Sequence, residues 1–137
     1  MKKLYIDIDG VLLTSRQSQP APGAAEFIDY ATKHFDCYWL TSYCRGDTHP
    51  VLRLLSKHFD TKTMSLLQTI QATHWPNHKS DAINFDADFY WLDDNPSRAS
   101  IQALKEHDAL DRLILVDLSR EGELNRVLDI LKNSVNT

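Results

Sequence analysis

Two acids near the N-terminus, Asp7 and Asp9, interrupt the apolar opening of the chain, which reads Tyr5-Ile6-Asp7-Ile8-Asp9-Gly10-Val11. Side chains in a strand alternate between faces, so a strand through this segment would place both carboxylates on one face, about 6.6 Å apart. At an effective dielectric constant of about 20, their repulsion is on the order of 2.5 kcal/mol. A divalent cation at the carboxyl end of the strand would offset this repulsion and leave one oxygen for chemistry.

Polar side chains also stand where two further predicted strands end and where a short predicted helix begins: Thr41, Ser42, Asp93, Asp94 and Lys79. In open parallel sheets, ligands bind outside the carboxyl ends of the strands. We therefore expect these side chains to converge with the two acids at one edge. There the carboxylates could hold a cation, and the hydroxyls and the ammonium could hold an anion.

The elements that would position these residues alternate along the chain. Short apolar or aromatic runs predict four strands, at Leu4–Asp9, Cys37–Thr41, Phe89–Leu92 and Leu113–Leu118. Runs of this kind are typical of a parallel sheet that is covered on both faces.

Amphipathic stripes between the strands predict helices. The predicted helical segments are Phe27–Phe35, Val51–Phe59, Lys79–Asn84, Ser97–Lys105 and Glu121–Lys132. The stretch Thr61–Thr73 is ambiguous, and within it Thr63–Leu67 is a candidate fifth strand at the sheet edge. Strands that alternate with helices indicate an α/β fold, here a single doubly wound, mainly parallel sheet with helices on both faces.

The composition is that of an ordinary globular domain. The chain has 137 residues, of which 42% are hydrophobic, with a net charge of −4, four glycines and five prolines. This size and composition predict one domain over residues 1–137 rather than a disordered segment. With this modest net charge, the chain has no overall electrostatic field that would attract it to nucleic acid or anionic lipid. The net charge does not exclude a local basic patch.

The same sequence bears on location. Asp7 and Asp9 break the apolar stretch that follows Met1-Lys2-Lys3, so we expect no signal peptide. No apolar run approaches the ~20 residues of a membrane-spanning helix. Cys37 and Cys44 form no Cys-x-x-Cys pair and need not be bridged. We therefore expect a cytoplasmic protein without a membrane partner.

Four motifs follow one another along the chain: Asp7-Ile8-Asp9-Gly10-Val11, Trp39-Leu40-Thr41, Lys79 and Trp91-Leu92-Asp93-Asp94. In this order they resemble the motifs of the haloacid dehalogenase-like (HAD) hydrolases, a phosphatase superfamily that works through an aspartyl-phosphate. The resemblance extends from residue 4 to about residue 118. It implies a HAD-like Rossmannoid fold and a Mg²⁺-dependent phosphomonoester hydrolase.

The resemblance implies a role for each acid. Asp7 would be the nucleophile that forms the covalent intermediate. Asp9 would protonate the leaving oxygen and then deprotonate the hydrolytic water. Mg²⁺ would be held by Asp7, by the backbone carbonyl of Asp9 and by the Asp93-Asp94 pair. Because adjacent strand residues face opposite ways, we expect only one of that pair to ligate directly, and Asp94 is favoured.

The resemblance also implies how the phosphate is bound. Thr41, with Ser42 beside it, would donate hydrogen bonds to phosphate oxygens, and Lys79 would neutralise their charge in the transition state. Gly10 would allow a sharp turn that brings backbone N–H groups to the phosphate. Each residue also has a plain structural interpretation, as a strand-end acid, a helix cap or a surface lysine like Lys57.

Members of this superfamily usually carry an inserted cap domain. The intervals Asp9–Thr41 and Thr41–Lys79 are too short for one, so the chain resembles a capless type. Its site would then be either open to bulky phosphoesters or closed by a neighbouring subunit. In the second case the chain would form a homo-oligomer. The substrate would be a phosphorylated small molecule or a polynucleotide end.

Two alternatives to a general phosphomonoesterase stay open. A basic run beside the predicted site could steer a polyanion, which suggests a polynucleotide 3′-phosphatase; the run is Arg45, His49, Arg53 and Lys57. A fold that binds phosphate without turnover is the other alternative.

The sequence assigns no clear role to four other residues near the predicted site. His74 and His78 have the spacing of zinc ligands on one helix, but Pro76 disfavours a helix there. Cys44 lacks a partner base, and Trp75 could either pack in the core or touch substrate.

Overall fold

Four parallel strands form a single sheet in the computed structural model, which describes residues 1–135. The strands are β1 (Lys3–Ile6), β2 (Asp36–Trp39), β3 (Phe89–Asp93) and β4 (Leu113–Leu115), and their order in the sheet is β2-β1-β3-β4. All three strand pairs are parallel. The predicted α/β class with one parallel sheet is confirmed.

Within residues 1–135, five α-helices and two 3₁₀ helices connect and follow the strands. They are α1 (Ala24–His34), α2 (His49–Leu55), α3 (Thr61–Leu67), α4 (Arg98–Glu106), α5 (Glu123–Val135) and the 3₁₀ helices Lys79–Ala82 and Leu110–Arg112. Every helix within residues 1–135 is too short or too polar to cross a bilayer.

Helices cover both faces of the sheet, as predicted. Side chains of β1 alternate between the two cores, because Leu4 and Ile6 point to one and Tyr5 to the other. The larger core packs the sheet against α1, α2, α3 and α5. The smaller core contains Trp91 and is closed by Leu104 of α4.

Three of the four strands end earlier than the sequence predicted, whereas β3 ends at Asp93, one residue beyond the predicted Leu92. β1 stops at Ile6 instead of Asp9, β2 at Trp39 instead of Thr41, and β4 at Leu115 instead of Leu118. After β1 the backbone coils, and the N–H groups of residues 11, 12 and 13 all donate to the Ile8 carbonyl at 2.9–3.1 Å. Neither Asp7 nor Asp9 lies in the strand, so strand alternation does not support the inference that their side chains share one face.

The candidate fifth strand at Thr63–Leu67 is also wrong, since this segment is helix α3. The Asp60 carboxylate caps this helix by accepting a hydrogen bond from the Thr63 N–H at 2.8 Å. Downstream, Gln71 makes an isolated parallel bridge with Tyr38 at the outer edge of β2.

Candidate functional site

The site lies where β1 and β3 end side by side. The Asp7 N–H donates to the Leu92 carbonyl at 3.1 Å, so Asp7 leaves β1 directly beside Asp93 at the end of β3. β1 pairs with β2 on one side and with β3 on the other. The direction in which successive strands are added to the sheet therefore reverses at β1. Such a switch point is where open α/β sheets bind ligands.

Lys79 joins the two buried acids. Its ammonium lies 3.1 Å from Asp7 Oδ2 and 2.8 Å from Asp93 Oδ2, and the 3₁₀ helix that it begins carries it to this position. Burial alone would lower the pKa of Lys79, but the two carboxylates outweigh it and raise that pKa above its ordinary value. The ammonium is therefore firmly charged.

The remaining oxygens of the two acids are held by the backbone. Asp7 Oδ1 accepts from the Ile8 N–H at 2.8 Å, and Asp93 Oδ1 accepts from the Asn95 N–H at 2.9 Å. The acids are 7% and 1% exposed. Burial, with the charge of Asp93, raises the pKa of Asp7 to about 6, although Lys79 opposes the shift. The charge that disfavours ionised Asp7 is thus that of Asp93.

Asp94 completes a cluster of carboxylates. One oxygen each from Asp7, Asp93 and Asp94 lie within 4.8 Å of one another. β3 ends at Asp93, so Asp94 lies beyond the strand, with its carboxylate against Gly10. Strand alternation therefore does not apply to this pair, and the carboxylates of Asp93 and Asp94 meet in the cluster instead of facing opposite ways. Burial and the charge of Asp93 raise the pKa of Asp94.

Gly10 fits closely against this cluster. A Cβ atom at Gly10 would collide with the carboxylate of Asp94, and the Gly10 φ of +79° is in the left-handed region that favours glycine. The predicted need for glycine here holds, but the group that approaches Gly10 in the structure is Asp94.

Asp9 stands apart from the cluster. Its carboxylate does not belong to the group of three, and Asp9 Oδ2 instead accepts a 2.8 Å hydrogen bond from the Tyr43 hydroxyl. This bond raises the pKa of Tyr43. That the Asp9 backbone carbonyl contributes to a metal site remains a prediction.

Thr41 and Ser42 follow β2 at the same end of the sheet. The Leu40 N–H donates to the Ile6 carbonyl at 2.9 Å, which places Thr41 alongside the start of the segment after β1. Thr41 is buried and its hydroxyl accepts from the Tyr43 N–H at 3.4 Å. Ser42 is exposed, and within residues 1–135 no hydrogen bond ties its side chain to the acids.

The donor set fits a hard divalent cation. Three carboxylates face one ammonium, so negative charge is in excess, and all three acids offer oxygen ligands. One oxygen from each acid lies within 4.8 Å of the other two, so Asp7, Asp93 and Asp94 could hold one such cation together.

The four residues whose roles were open are placed as follows. Cys44 is fully buried and Trp75 is buried in the smaller core, where the Arg45 guanidinium lies 3.6 Å from the indole ring centre. His74 and His78 are exposed in a loop, and no candidate metal cluster found in residues 1–135 includes them.

The sequence analysis missed two contributors to the site. The Tyr43 hydroxyl and the Asn95 backbone amide both hold predicted site acids. Tyr43 could have been suspected as an aromatic residue in the polar loop after Thr41, whereas nothing in the sequence singles out a backbone amide.

Comparisons of the chain with protein-family models, with curated proteins and with solved structures found no match.

Proposed function

We propose that the chain is a Mg²⁺-dependent phosphomonoester hydrolase of the capless HAD-like type that acts through an aspartyl-phosphate on Asp7. The supporting observation is the buried Asp7 carboxylate, held by Lys79 beside Asp93 and Asp94 at the carboxyl ends of two adjacent parallel strands. Reactive carboxylates, a fixed cation and a cluster of oxygen ligands are the groups that phosphoryl transfer needs.

Asp7 is the nucleophile in this proposal. Its Oδ1 is fixed by the Ile8 amide and its Oδ2 faces Lys79, so the side chain is held in one orientation before substrate arrives. A carboxylate oxygen of Asp7 attacks phosphorus, and the bond from phosphorus to the leaving oxygen breaks. Lys79 stabilises the negative charge of the phosphoryl oxygens in the transition state.

Asp7, Asp93 and Asp94 would hold Mg²⁺, and bound Mg²⁺ would supply neutralisation of phosphate charge. Thr41 would donate a hydrogen bond to a phosphate oxygen. Asp9 gives its proton to the leaving oxygen and, in the second half of the reaction, takes one from the attacking water.

No inserted domain is part of this proposal. Only α1 lies between β1 and β2, and only α2, α3 and the 3₁₀ helix Lys79–Ala82 lie between β2 and β3. Short loops around the strand ends would then select the substrate.

The experiment measures hydrolysis of p-nitrophenyl phosphate by the wild type and by Asp7→Asn, with Mg²⁺ and with EDTA. We expect Mg²⁺-dependent turnover by the wild type and a loss of about a thousandfold or more in the variant. Asp129→Asn is the matched control, because Asp129 is an exposed carboxylate on α5. Equal rates for the wild type and Asp7→Asn would overturn the proposal. Phosphate binding without turnover would favour the non-catalytic alternative.

A further inference from the structure

The Asp9 carboxylate has one identified partner. Among residues 1–135, the Tyr43 hydroxyl is the hydrogen-bond donor that the structure gives it, at 2.8 Å from Asp9 Oδ2. Lys79 contacts Asp7 and Asp93 instead, and Asp9 is outside the carboxylate cluster. Without Tyr43, nothing described in the structure would fix the orientation of this half-buried side chain.

Tyr43 is itself held by the turn that follows β2. Its N–H donates to the Thr41 hydroxyl at 3.4 Å, and the next N–H, that of Cys44, donates to the Thr41 carbonyl at 3.1 Å. Cys44 is buried and its thiol contacts the Thr73 carbonyl, so the turn is attached to the neighbouring loop. Tyr43, which is 37% exposed, is thus attached through its backbone while its hydroxyl donates to Asp9.

We propose that Tyr43 is a positioning residue that orients Asp9 for proton transfer; this inference rests on the proposed function. The Tyr43 hydroxyl donates to Oδ2 of Asp9. In a carboxylic acid the unprotonated oxygen is the better hydrogen-bond acceptor, so this bond favours the state in which Oδ1 carries the proton. Oδ1 is then the oxygen of Asp9 that carries the proton to be transferred. Tyr43 itself transfers no proton in this proposal.

Asp9 transfers a proton in each of the two steps of the proposed reaction, so its orientation by Tyr43 has two distinct consequences. When Asp7 attacks, the bond to the leaving oxygen breaks and Oδ1 of Asp9 supplies the proton that this oxygen takes up. When water attacks the aspartyl-phosphate, its proton goes to Asp9 and the bond from phosphorus to the Asp7 oxygen breaks, which releases phosphate and restores both acids. The first step needs Asp9 only for poor leaving groups, whereas the second step is common to every substrate.

The test compares Tyr43→Phe with the wild type on two esters in Mg²⁺. Glycerol phosphate has an alkoxide leaving group that needs the proton, and 2,4-dinitrophenyl phosphate has a stable leaving anion that does not. We expect kcat/KM to fall about tenfold or more for the alkyl ester and less than about twofold for the aryl ester. Because hydrolysis of the shared intermediate also uses Asp9, kcat should fall for both esters.

Tyr30→Phe is the matched control, since within residues 1–135 the Tyr30 hydroxyl has no hydrogen bond and the residue lies on α1. Tyr43→Phe keeps the exposed ring, and circular dichroism checks that it folds. Equal losses of kcat/KM on both esters, or no loss on either, would overturn the role of Tyr43 while leaving the proposed function intact. Failure of the wild type to hydrolyse either ester would overturn both proposals.

Discussion

Gly10 lies against the Asp94 carboxylate just after β1. This contact leads to a prediction about a single residue. Gly10→Ala would combine a left-handed backbone with a collision against Asp94. We expect it to lower the free energy of unfolding by about 3 kcal/mol and to abolish turnover, because Asp94 must move. Urea denaturation and p-nitrophenyl phosphate hydrolysis measure the two effects.

Gly46→Ala is the control for this prediction. Gly46 has a similar φ of +83°, but a Cβ there would meet no atom within 4 Å. Its expected cost is about 1 kcal/mol, with turnover retained. Equal effects of the two substitutions would show that backbone strain, rather than the contact with Asp94, sets the requirement for glycine.

Lys79 gives a second prediction at this scale. Lys79→Met would leave the buried carboxylates of Asp7 and Asp93 without their cation. In EDTA we expect the free energy of unfolding to fall by about 2 kcal/mol, less than for a fully buried pair because Lys79 is partly exposed. Excess Mg²⁺ should recover part of this loss, since a bound cation neutralises the same acids.

The control is Lys33→Met, which breaks an exposed pair with Asp29 on α1 at 2.8 Å. Such surface pairs contribute little, so we expect a much smaller loss than for Lys79→Met. Urea denaturation in EDTA and in Mg²⁺ distinguishes the variants. A loss for Lys79→Met no larger than that of the control would contradict the bridging role.

At the scale of elements, α4 supports the helix that carries Lys79. The Ser80 N–H donates to the Ser100 hydroxyl at 3.2 Å, and both residues are buried. Ser100→Ala would leave this N–H without its partner, at an expected cost of about 2 kcal/mol. Since Lys79 precedes Ser80, we also expect a several-fold lower kcat/KM on p-nitrophenyl phosphate.

Ser65→Ala is the matched control, because the Ser65 hydroxyl makes only an exposed bond within α3, to the Lys62 carbonyl. Its expected cost is below about 0.5 kcal/mol. Thermal unfolding and the kinetic assay compare the two variants. If Ser100→Ala lost stability but kept wild-type kcat/KM, α4 would support the fold without positioning Lys79.

At the scale of the whole molecule, the connections around the sheet predict tolerance of large substrates. The segments between β1 and β3 contain short helices that pack on the sheet faces. If the proposed site is open, a 3′-phosphorylated oligonucleotide and the corresponding mononucleotide should be hydrolysed with kcat/KM values within about tenfold. Release of inorganic phosphate measures both. Turnover of the mononucleotide alone would indicate that the site is closed, for instance by a second copy of the chain.

The sequence by itself determined the α/β class, the four strands and most of the helices. Local hydrophobic pattern decides such features, because a strand buried on both faces must be apolar throughout and a surface helix must carry an apolar stripe. The order of elements also predicted that Asp7, Lys79, Asp93 and Asp94 would meet, since parallel strands bring their carboxyl ends to one edge.

Only the tertiary structure decided how the acids divide. The local hydrophobic pattern predicted that β1 extends through Asp9. The strand ends at Ile6 instead, because the N–H groups of the following turn donate to the Ile8 carbonyl. That turn separates Asp9 from the cluster and brings it to Tyr43, a residue 34 positions away in the chain. The helix at Thr63–Leu67 differs in this respect, because its cap, Asp60, lies only three residues before Thr63 and belongs to the local pattern. Turn paths and long-range hydrogen bonds depend on partners that no local pattern contains, and this is why the structure alone placed them.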